Sequence, residues 1–260
     1  MIKTFQIKNK IMGEGRPKIC VPLTGRTEAD ILSIADNILI KAKQGNIDMV
    51  EFRADYYEEL DDEIKLKQIM TNLSNKFQEI ILLFTIRSEK EGGEKLSFDS
   101  SKINNINMFV IKNKLADMVD VELFSGDDKV KELVEAAGEN DVKIIMSNHD
   151  FKTTPPNEEI IKRLLKMQDL GADVAKIAVM PENKAQFIRL MDATCEMNDK
   201  YARVPIVAIS MGKLGAMSRI FGEYTGSAIS FGVVDKASAP GQIPVDELAT
   251  AMELVKKYCI

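Results

Sequence analysis

Residues 143–179, KIIMSNHDFKTTPPNEEIIKRLLKMQDLGADVAKIAV, contain two short apolar runs separated by a stretch with helical spacing. The runs at 143–148 and 174–179 predict buried β-strands, because each is short, continuous and flanked by turn residues. Between them, Thr154 and the proline after it predict a helix start, and Gly171 predicts the helix end. The apolar positions of this helix are Ile160, Ile161, Leu164 and Leu165.

The same alternation of strand and helix patterns runs along the rest of the chain. Six further strand candidates lie at 18–21, 49–53, 80–86, 118–122, 205–210 and 228–232. A capping box at Thr27 and Asp30 predicts one helix start, and apolar residues at helical spacing predict another helix over 64–77. Eight strands alternating with helices predict a parallel sheet, either closed or open and doubly wound. No glycine-rich dinucleotide fingerprint follows the first strand, so we favour the α/β class as a (β/α)8 barrel.

The length of the chain suits one such barrel. It has 260 residues, 45% of them apolar, and no low-complexity linker or change of composition divides it. We therefore expect a single domain over residues 1–260. The first 17 residues alternate polar and apolar positions and predict a short β-hairpin that caps the bottom of the barrel.

Composition excludes several classes of function. The net charge is −5 with both signs mixed along the chain, so we expect no nucleic-acid partner. No apolar stretch is long enough for a signal peptide or a membrane span. Cys20, Cys195 and Cys259 are widely spaced, which argues against disulfides and predicts a reducing cytoplasm. One histidine in the chain rules out a multi-histidine metal site.

Polar side chains collect at the carboxyl ends of the predicted strands. Since residues i and i+2 of a strand share a face, each strand contributes its polar residues to one side. In a barrel they would point inward at the rim where such folds place active sites. These residues are Glu51, Arg53, Asp55, Thr85, Arg87, Asp120, Glu122, Ser147, His149 and Lys176.

Lys176 interrupts an otherwise apolar strand, which leaves two interpretations open. It could form a structural ion pair with Asp120 or Glu122, or its amine could act as a nucleophile. An amine in an apolar pocket beside another cation loses its proton more readily, and a nearby histidine can transfer protons at neutral pH. His149 could equally be a surface residue that follows its strand, and Glu51 with Arg53 a structural pair. Taken together, amine and imidazole predict carbonyl chemistry through an imine.

Several motifs resemble those of the type I 3-dehydroquinate dehydratase family. The resemblance extends from GEGRPKICVPL to the SAPGQ loop, which is most of the chain, with the motifs in family order. It implies a (β/α)8 barrel, a homodimer, and catalysis without cofactor or metal. The motifs are FTIRSEKEGGE at 84–94, SNHDF at 147–151, ADVAKIAVMP at 172–181, SMGKLGAMSRIFG at 210–222 and SAPGQI at 238–243.

The resemblance also implies roles for individual residues. Lys176 would form a Schiff base with the C3 ketone of 3-dehydroquinate, and His149 would move the C2 proton in a syn elimination. Glu91 would hold that histidine, and Arg219 would bind the substrate carboxylate. The implied reaction is the third step of the shikimate pathway to aromatic amino acids. The other implied substrate-binding residues are Glu51, Arg53, Arg87, Ser238 and Gln242, the last two on a mobile lid.

Two positions depart from the family pattern, and two other functions stay open. Phe52 stands where a tryptophan is expected, and we predict that it faces the helix layer. Lys213 lies near Arg219 in sequence, and a surface position is the interpretation we favour. A Schiff-base aldolase would need a phosphate site in the last two loops, where the chain has Arg219 and SAPGQ. A non-catalytic barrel that binds a carboxylate would have no use for a desolvated amine.

Overall fold

A computed structural model describes residues 2–235 and 237–259, in which parallel strands alternate with helices. The barrel strands are β1 Lys18–Leu23, β2 Met49–Arg53, β3 Ile81–Thr85, β4 Met118–Glu122, β5 Lys143–Asp150, β6 Val174–Val179, β7 Ile206–Ser210 and β8 Ile229–Val233. Strands β1 to β7 pair in chain order, and β8 pairs with β1. A two-residue strand at Ile243–Pro244 pairs in parallel with the end of β8. The eight predicted strands are confirmed within two residues at each end.

Contacts between β7 and β8 close the sheet into a barrel. Ile206 and Ser227 form a parallel bridge just before β8. The backbone N–H of Ala228 donates to the carbonyl of Ile206 at 2.7 Å. These contacts decide for the barrel over the open doubly wound sheet, because an open sheet would leave β7 and β8 as separate edges.

Helices cover the outside of the barrel and enclose most of the apolar core. Phe52, Phe77 and Phe84 lie in the layer between strands and helices, with no exposed surface. The prediction that Phe52 faces the helices is therefore confirmed. Among the described helices, none combines the length and apolarity that crossing a bilayer requires. The helices are α1 Glu28–Ala42, α2 Glu63–Lys76, α3 Ser100–Lys112, α4 Asp127–Asn140, α5 Asn157–Asp169, α6 Lys184–Glu196, α7 Gly212–Gly215, α8 Met217–Ile220, α9 Gly222–Thr225 and α10 Val245–Cys259.

Two boundaries differ from the sequence predictions for local reasons. Helix α5 begins at Asn157 rather than after Thr154, because Pro156 adopts an extended conformation, with ψ 155°, at the N-cap. Strand β5 continues to Asp150, so His149 lies within the strand and not after it. The capping box at Thr27 and Asp30 is confirmed.

A hairpin of Phe5–Ile7 and Lys10–Met12 precedes the barrel, as predicted. Met12 is 1% exposed and packs in the inner apolar cluster with Met49, Ile81 and Met118, which lie at the amino ends of their strands. The hairpin thus covers the bottom of the barrel and keeps water from its interior.

The inside of the barrel changes from apolar to polar along the strands. Ile145 and Val174 belong to the lower, apolar layer. One step further along the same strands, Ser147 and Lys176 lie side by side in the parallel register. Because inward positions recur every second residue, the carboxyl ends of β2 to β6 present their polar side chains to one space above the apolar layer.

Candidate active site

A cavity of about 490 Å³, partly open to solvent, lies at the carboxyl end of the barrel. All nine residues predicted for the site line it. They are Lys176, His149, Glu91, Glu51, Arg53, Arg87, Arg219, Ser238 and Gln242. Folding therefore brings together side chains that are separated by up to 191 positions in the sequence.

Lys176 extends from β6 into the base of this cavity and is 3% exposed. Its Nζ lies 3.6 Å from Oδ2 of Asp120 and 4.0 Å from Oε1 of Glu51. The ring of Phe231 lies beneath it, with the centroid 4.4 Å from Nζ. The amine is thus surrounded by two carboxylates and an aromatic face.

This setting differs in part from what we expected. We expected an apolar pocket with a second cation beside the amine, but the charged groups nearest to Nζ are the carboxylates of Asp120 and Glu51, of which Asp120 was one of the two ion-pair partners left open. A second cation is also near, because NH2 of Arg87 lies 2.8 Å from the same Oδ2 of Asp120. Ala178 and Met211 do line the cavity, while Val174 lies in the apolar layer below. The reason is the barrel register, which places inward residues of β2 and β4 level with β6.

Arg87 connects the carboxylates on this side of the cavity. It donates from NH1 to Glu122 and to Ser147 at 3.0 and 2.9 Å, and its NH2 lies 2.8 Å from Asp120. Burial disfavours the guanidinium charge, but the carboxylates of Asp120, Glu122, Glu91 and Glu51 outweigh it and raise the pKa of Arg87. For Asp120, burial is likewise outweighed by the cations of Arg87 and Lys176, which lower its pKa.

Glu51 and Arg53 extend from β2 and are held by different partners. Thr85 donates to Oε1 of Glu51 at 3.0 Å. Arg53 donates from Nε and NH2 to the two oxygens of Asp55 at 2.8 and 2.7 Å. This bidentate bond occupies one edge of the guanidinium, and NH1 of Arg53 makes no hydrogen bond to any described residue.

Glu91 and His149 form a hydrogen-bonded pair at the rim. Oε2 of Glu91 lies 2.9 Å from Nδ1 of His149 and also accepts from the backbone N–H of His149 at 2.9 Å. Since the Glu91 carboxylate accepts a hydrogen bond from Nδ1–H, the other ring nitrogen, Nε2, is the basic atom of the imidazole. The pair depends on Gly92, which has φ +85°, because a Cβ there would lie 2.3 Å from the ring of Phe151.

The surroundings favour a neutral imidazole. Burial and the cations of Arg87, Lys176 and Arg53 lower the pKa of His149 well below its ordinary value. Burial and the charge of Glu122 raise the pKa of Glu91 to about 7, against the opposing effect of Arg87. A neutral imidazole with a free Nε2 can accept a proton from a bound molecule.

Arg219 lies on the opposite side of the cavity and is 2% exposed. It donates to the carbonyls of Gly241, Phe231 and Pro240 at 2.9, 3.2 and 3.2 Å. No carboxylate of residues 2–235 or 237–259 forms an ion pair with it, and burial lowers its pKa to about 10. A buried guanidinium without a counter-ion is suited to bind an anionic ligand.

The SAPGQ loop at 238–242 covers this side. Gln242 accepts from the backbone N–H of Ser238 at 2.8 Å and donates to the Ser238 hydroxyl at 3.3 Å. The N–H of Gly212 donates to the carbonyl of Pro240 at 3.1 Å. Lys213 is exposed and is absent from the cavity wall, which confirms the surface position we favoured for it.

Several residues of the site were missed or left out at the sequence level. Asp55, Asp120 and Glu122 were predicted to lie at the inner rim but were given no role in the site. Phe231, under the amine, had no signal beyond its place in a strand. Asn148 donates to Glu91 at 3.1 Å, and its only signal was its position next to His149.

The described residues contain no candidate metal site and no disulfide bond. In that part of the chain, no cluster of three or more His, Cys, Asp or Glu side chains is placed to hold a metal ion. Cys20, Cys195 and Cys259 are free thiols.

Members of one family match this chain over nearly its whole length. The sequence profile of the type I 3-dehydroquinase family matches residues 19–258. The 3-dehydroquinate dehydratase of Clostridium botulinum is 47% identical over 255 residues, 98% of each chain. The structure of the type I enzyme from Clostridium difficile, solved with covalently modified comenic acid, shares 43% identity, covers 99% of both chains and has a TM-score of 0.94. The enzyme from Geobacillus kaustophilus gives a TM-score of 0.95 at 32% identity, over 99% of this chain and 98% of its own. This chain therefore belongs to the type I 3-dehydroquinase family.

Proposed function

We propose that this hydro-lyase dehydrates 3-dehydroquinate to 3-dehydroshikimate through an imine on Lys176. The observation that carries the proposal is that Lys176 and His149, on neighbouring strands, line one cavity with Arg219, a cation that pairs with no carboxylate of the described residues. Family membership and relatives named 3-dehydroquinate dehydratase support the same reaction.

The covalent step begins at the ketone. The Lys176 ammonium gives up a proton and its amine adds to C3. The carbonyl oxygen takes that proton and one of the two remaining amine protons and leaves as water, so that a protonated C=N bond replaces the C=O bond. The resulting imine carries a positive charge, which the carboxylates of Asp120 and Glu51 are placed to stabilise at 3.6 and 4.0 Å from Nζ. A cationic imine accepts electrons from the adjacent carbon better than the ketone does.

His149 then transfers the proton. Nε2 removes a proton from C2, and the C–H electrons move toward the imine nitrogen to give an enamine. The imidazolium returns that proton to the C1 hydroxyl, which leaves as water in a syn elimination, while the enamine electrons form the C1=C2 bond and the nitrogen electrons restore the cationic imine. Water finally hydrolyses the imine, releasing 3-dehydroshikimate and the free amine. Glu91 keeps Nδ1 protonated and the ring in place throughout.

Arg219 is the residue we propose for the substrate carboxylate. A guanidinium has five N–H donors, and three of those on Arg219 are used by backbone carbonyls. One N–H on each terminal nitrogen is left, which matches the two oxygens of a carboxylate. Arg53, through NH1, and Glu51 would bind ring hydroxyls, and Ser238 and Gln242 would cover the substrate when a mobile lid closes.

Arg87 fits a different part of the proposed role. Both hydrogens on its NH1 are committed to Glu122 and Ser147, and NH2 faces Asp120. It lines the cavity, but we propose that it acts mainly by fixing Asp120 near the amine of Lys176.

The biological setting follows from the same reaction. We propose that the enzyme serves the shikimate pathway to aromatic amino acids as its third step, in the cytoplasm and as a homodimer in one domain. That the Clostridium difficile relative was solved with covalently modified comenic acid supports covalent chemistry in the family. Light scattering on the purified protein measures the dimer directly.

Trapping the imine tests the mechanism. We would incubate the protein with 3-dehydroquinate and borohydride, then measure intact mass and map the modified peptide. Reduction should leave one adduct on Lys176, and Lys176→Ala should lack both the adduct and turnover, with a loss on the order of 10⁴-fold or more.

Lys213→Ala is the matched control, because Lys213 is an exposed lysine outside the cavity wall. It should form the adduct and turn over at the parent rate. An adduct on another lysine, or product formation by Lys176→Ala near the parent rate, would overturn the imine on Lys176.

A further inference from the structure

Hydrogen bonds leave the active site through Glu91 and continue to the helix layer. Oε1 of Glu91 accepts from Nδ2 of Asn148 at 3.1 Å. Oδ1 of the same asparagine accepts from NH1 of Arg163, on α5, at 2.9 Å. We call these three residues the Glu91–Asn148–Arg163 chain.

The chemistry of the three groups sets the direction of the chain. A carboxylate accepts hydrogen bonds, a guanidinium can only donate them, and an amide does both. With Glu91 on one side and Arg163 on the other, Asn148 can satisfy both only by turning its NH₂ to Glu91. If the amide were reversed, two oxygens would face each other at Glu91 and two donors would face each other at Arg163.

Arg163 is itself held firmly. Its Nε donates to Glu159 at 2.8 Å, one helical turn earlier on α5. Its NH1 also lies 3.7 Å from Asp150 at the end of β5, and the guanidinium lies over the ring of Phe124 at 6.0 Å. These contacts tie α5 to the strand that carries His149.

We propose that Arg163 is a positioning residue for the dehydration. By holding Oδ1 of Asn148 it fixes the amide that holds Glu91, and through Glu91 it fixes the ring of His149. Arg163 does not line the cavity, so its effect on a bound substrate can only be indirect. The inference rests on the proposed function, because it concerns the proton-transfer half of that reaction.

The proposal predicts a separation of kcat from KM. In Arg163→Leu, kcat should fall about tenfold, because the Glu91–Asn148–Arg163 chain that orients His149 is broken while the histidine itself remains. KM should stay within about twofold, and borohydride should still trap the adduct on Lys176, since the amine is untouched. Arg163→Lys keeps a donor and should recover most of the lost kcat.

The matched control is Lys166→Met on the same helix. Lys166 also lies over Phe124, at 5.8 Å, and pairs with Asp127, but it makes no hydrogen bond to Asn148. It should keep the parent kcat. Asn148→Leu should lower kcat as much as Arg163→Leu does, and the double variant should lower it no further, because both changes break one chain.

Three outcomes would overturn the proposal: an unchanged kcat in Arg163→Leu, an equal loss in Lys166→Met, or losses that multiply in the double variant. Should Arg163→Leu fail to fold, Arg163→Gln, which is too short to keep the bond, takes its place in the same cycle. A parent protein that does not dehydrate 3-dehydroquinate refutes the proposed function itself, before any variant is made.

Discussion

The buried cations on the two sides of the cavity have different partners. On the side formed by β2 to β6, Arg53, Arg87 and Lys176 each lie within 4.0 Å of a carboxylate. On the side formed by β7 and β8, Arg219 contacts three backbone carbonyls and no carboxylate of the described residues. One side is neutralised by the protein, and the other leaves a positive charge for a ligand.

This difference indicates a division of work. We expect the neutralised side to form a rigid frame that keeps its geometry without a ligand, because each of its buried cations already lies against a carboxylate. The open side carries a desolvation cost that an anion would relieve. On the proposed mechanism, binding energy is concentrated at Arg219, while the amine of Lys176 stays in the frame.

Stability measurements test whether the buried cations on the two sides of the cavity differ in this way. Arg87→Met should lower the free energy of unfolding by about 3–5 kcal/mol, because it leaves Asp120 and Glu122 buried without their partner. Arg219→Met should cost less, about 2 kcal/mol or below, because it removes a charge that had no counter-ion and leaves only carbonyls to be solvated. Urea unfolding of both variants measures the difference, and equal losses would contradict the distinction.

For substrate binding we expect the opposite order, with a larger effect from Arg219→Met than from Arg87→Met. In Arg219→Met, kcat/KM should fall about 10²- to 10⁴-fold, since two charge-assisted hydrogen bonds to a carboxylate are each worth about 1.5–3 kcal/mol. The loss should appear mainly in KM. Arg219→Lys, which keeps the charge without the fork, should recover only part of it. A KM near that of the parent in both variants would exclude Arg219 as the carboxylate site.

The pH dependence of kcat/KM tests the protonation states of His149 and Glu91. Because burial and nearby cations lower the pKa of His149, its base form should persist below pH 6.5, the ordinary histidine value. The acid limb of the profile should therefore have its midpoint below 6.5. A second inflection near 7 would belong to Glu91, whose pKa is raised to about 7, and Glu91→Gln should remove it.

The sign of the stability effect follows from the same shift. A histidine whose pKa is lowered in the folded state stabilises the fold above its unfolded pKa of about 6.5, and this contribution is lost as the pH falls. His149→Gln should therefore flatten the decline of unfolding free energy below pH 6.5. An acid-limb midpoint at or above 6.5 that remains in Glu91→Gln would contradict the neutral imidazole.

Much of the site could be predicted from local sequence. Inward and outward positions alternate along a strand, so Glu51, Arg53 and Lys176 could be assigned to the inner face without knowing their partners. Two glycines in a row, as after Glu91, are typical of a turn, and this turn brings that carboxylate to His149. Arg163 could not be found in this way, because its contact with Asn148 joins a helix to a strand 15 residues earlier.

Spacing within single elements was enough to predict the alternation of strands and helices, the inner faces of the strands and the candidate reactive side chains. A single stretch of sequence contains that spacing. Which charges meet depends on the tertiary structure. The register across five strands places Glu51 and Asp120, one of the two ion-pair partners that the sequence left open, beside Lys176, and it leaves Arg219 with backbone carbonyls and no carboxylate of the described residues. Electrostatic partners are set by distances between elements, and those distances exist only after the barrel has closed.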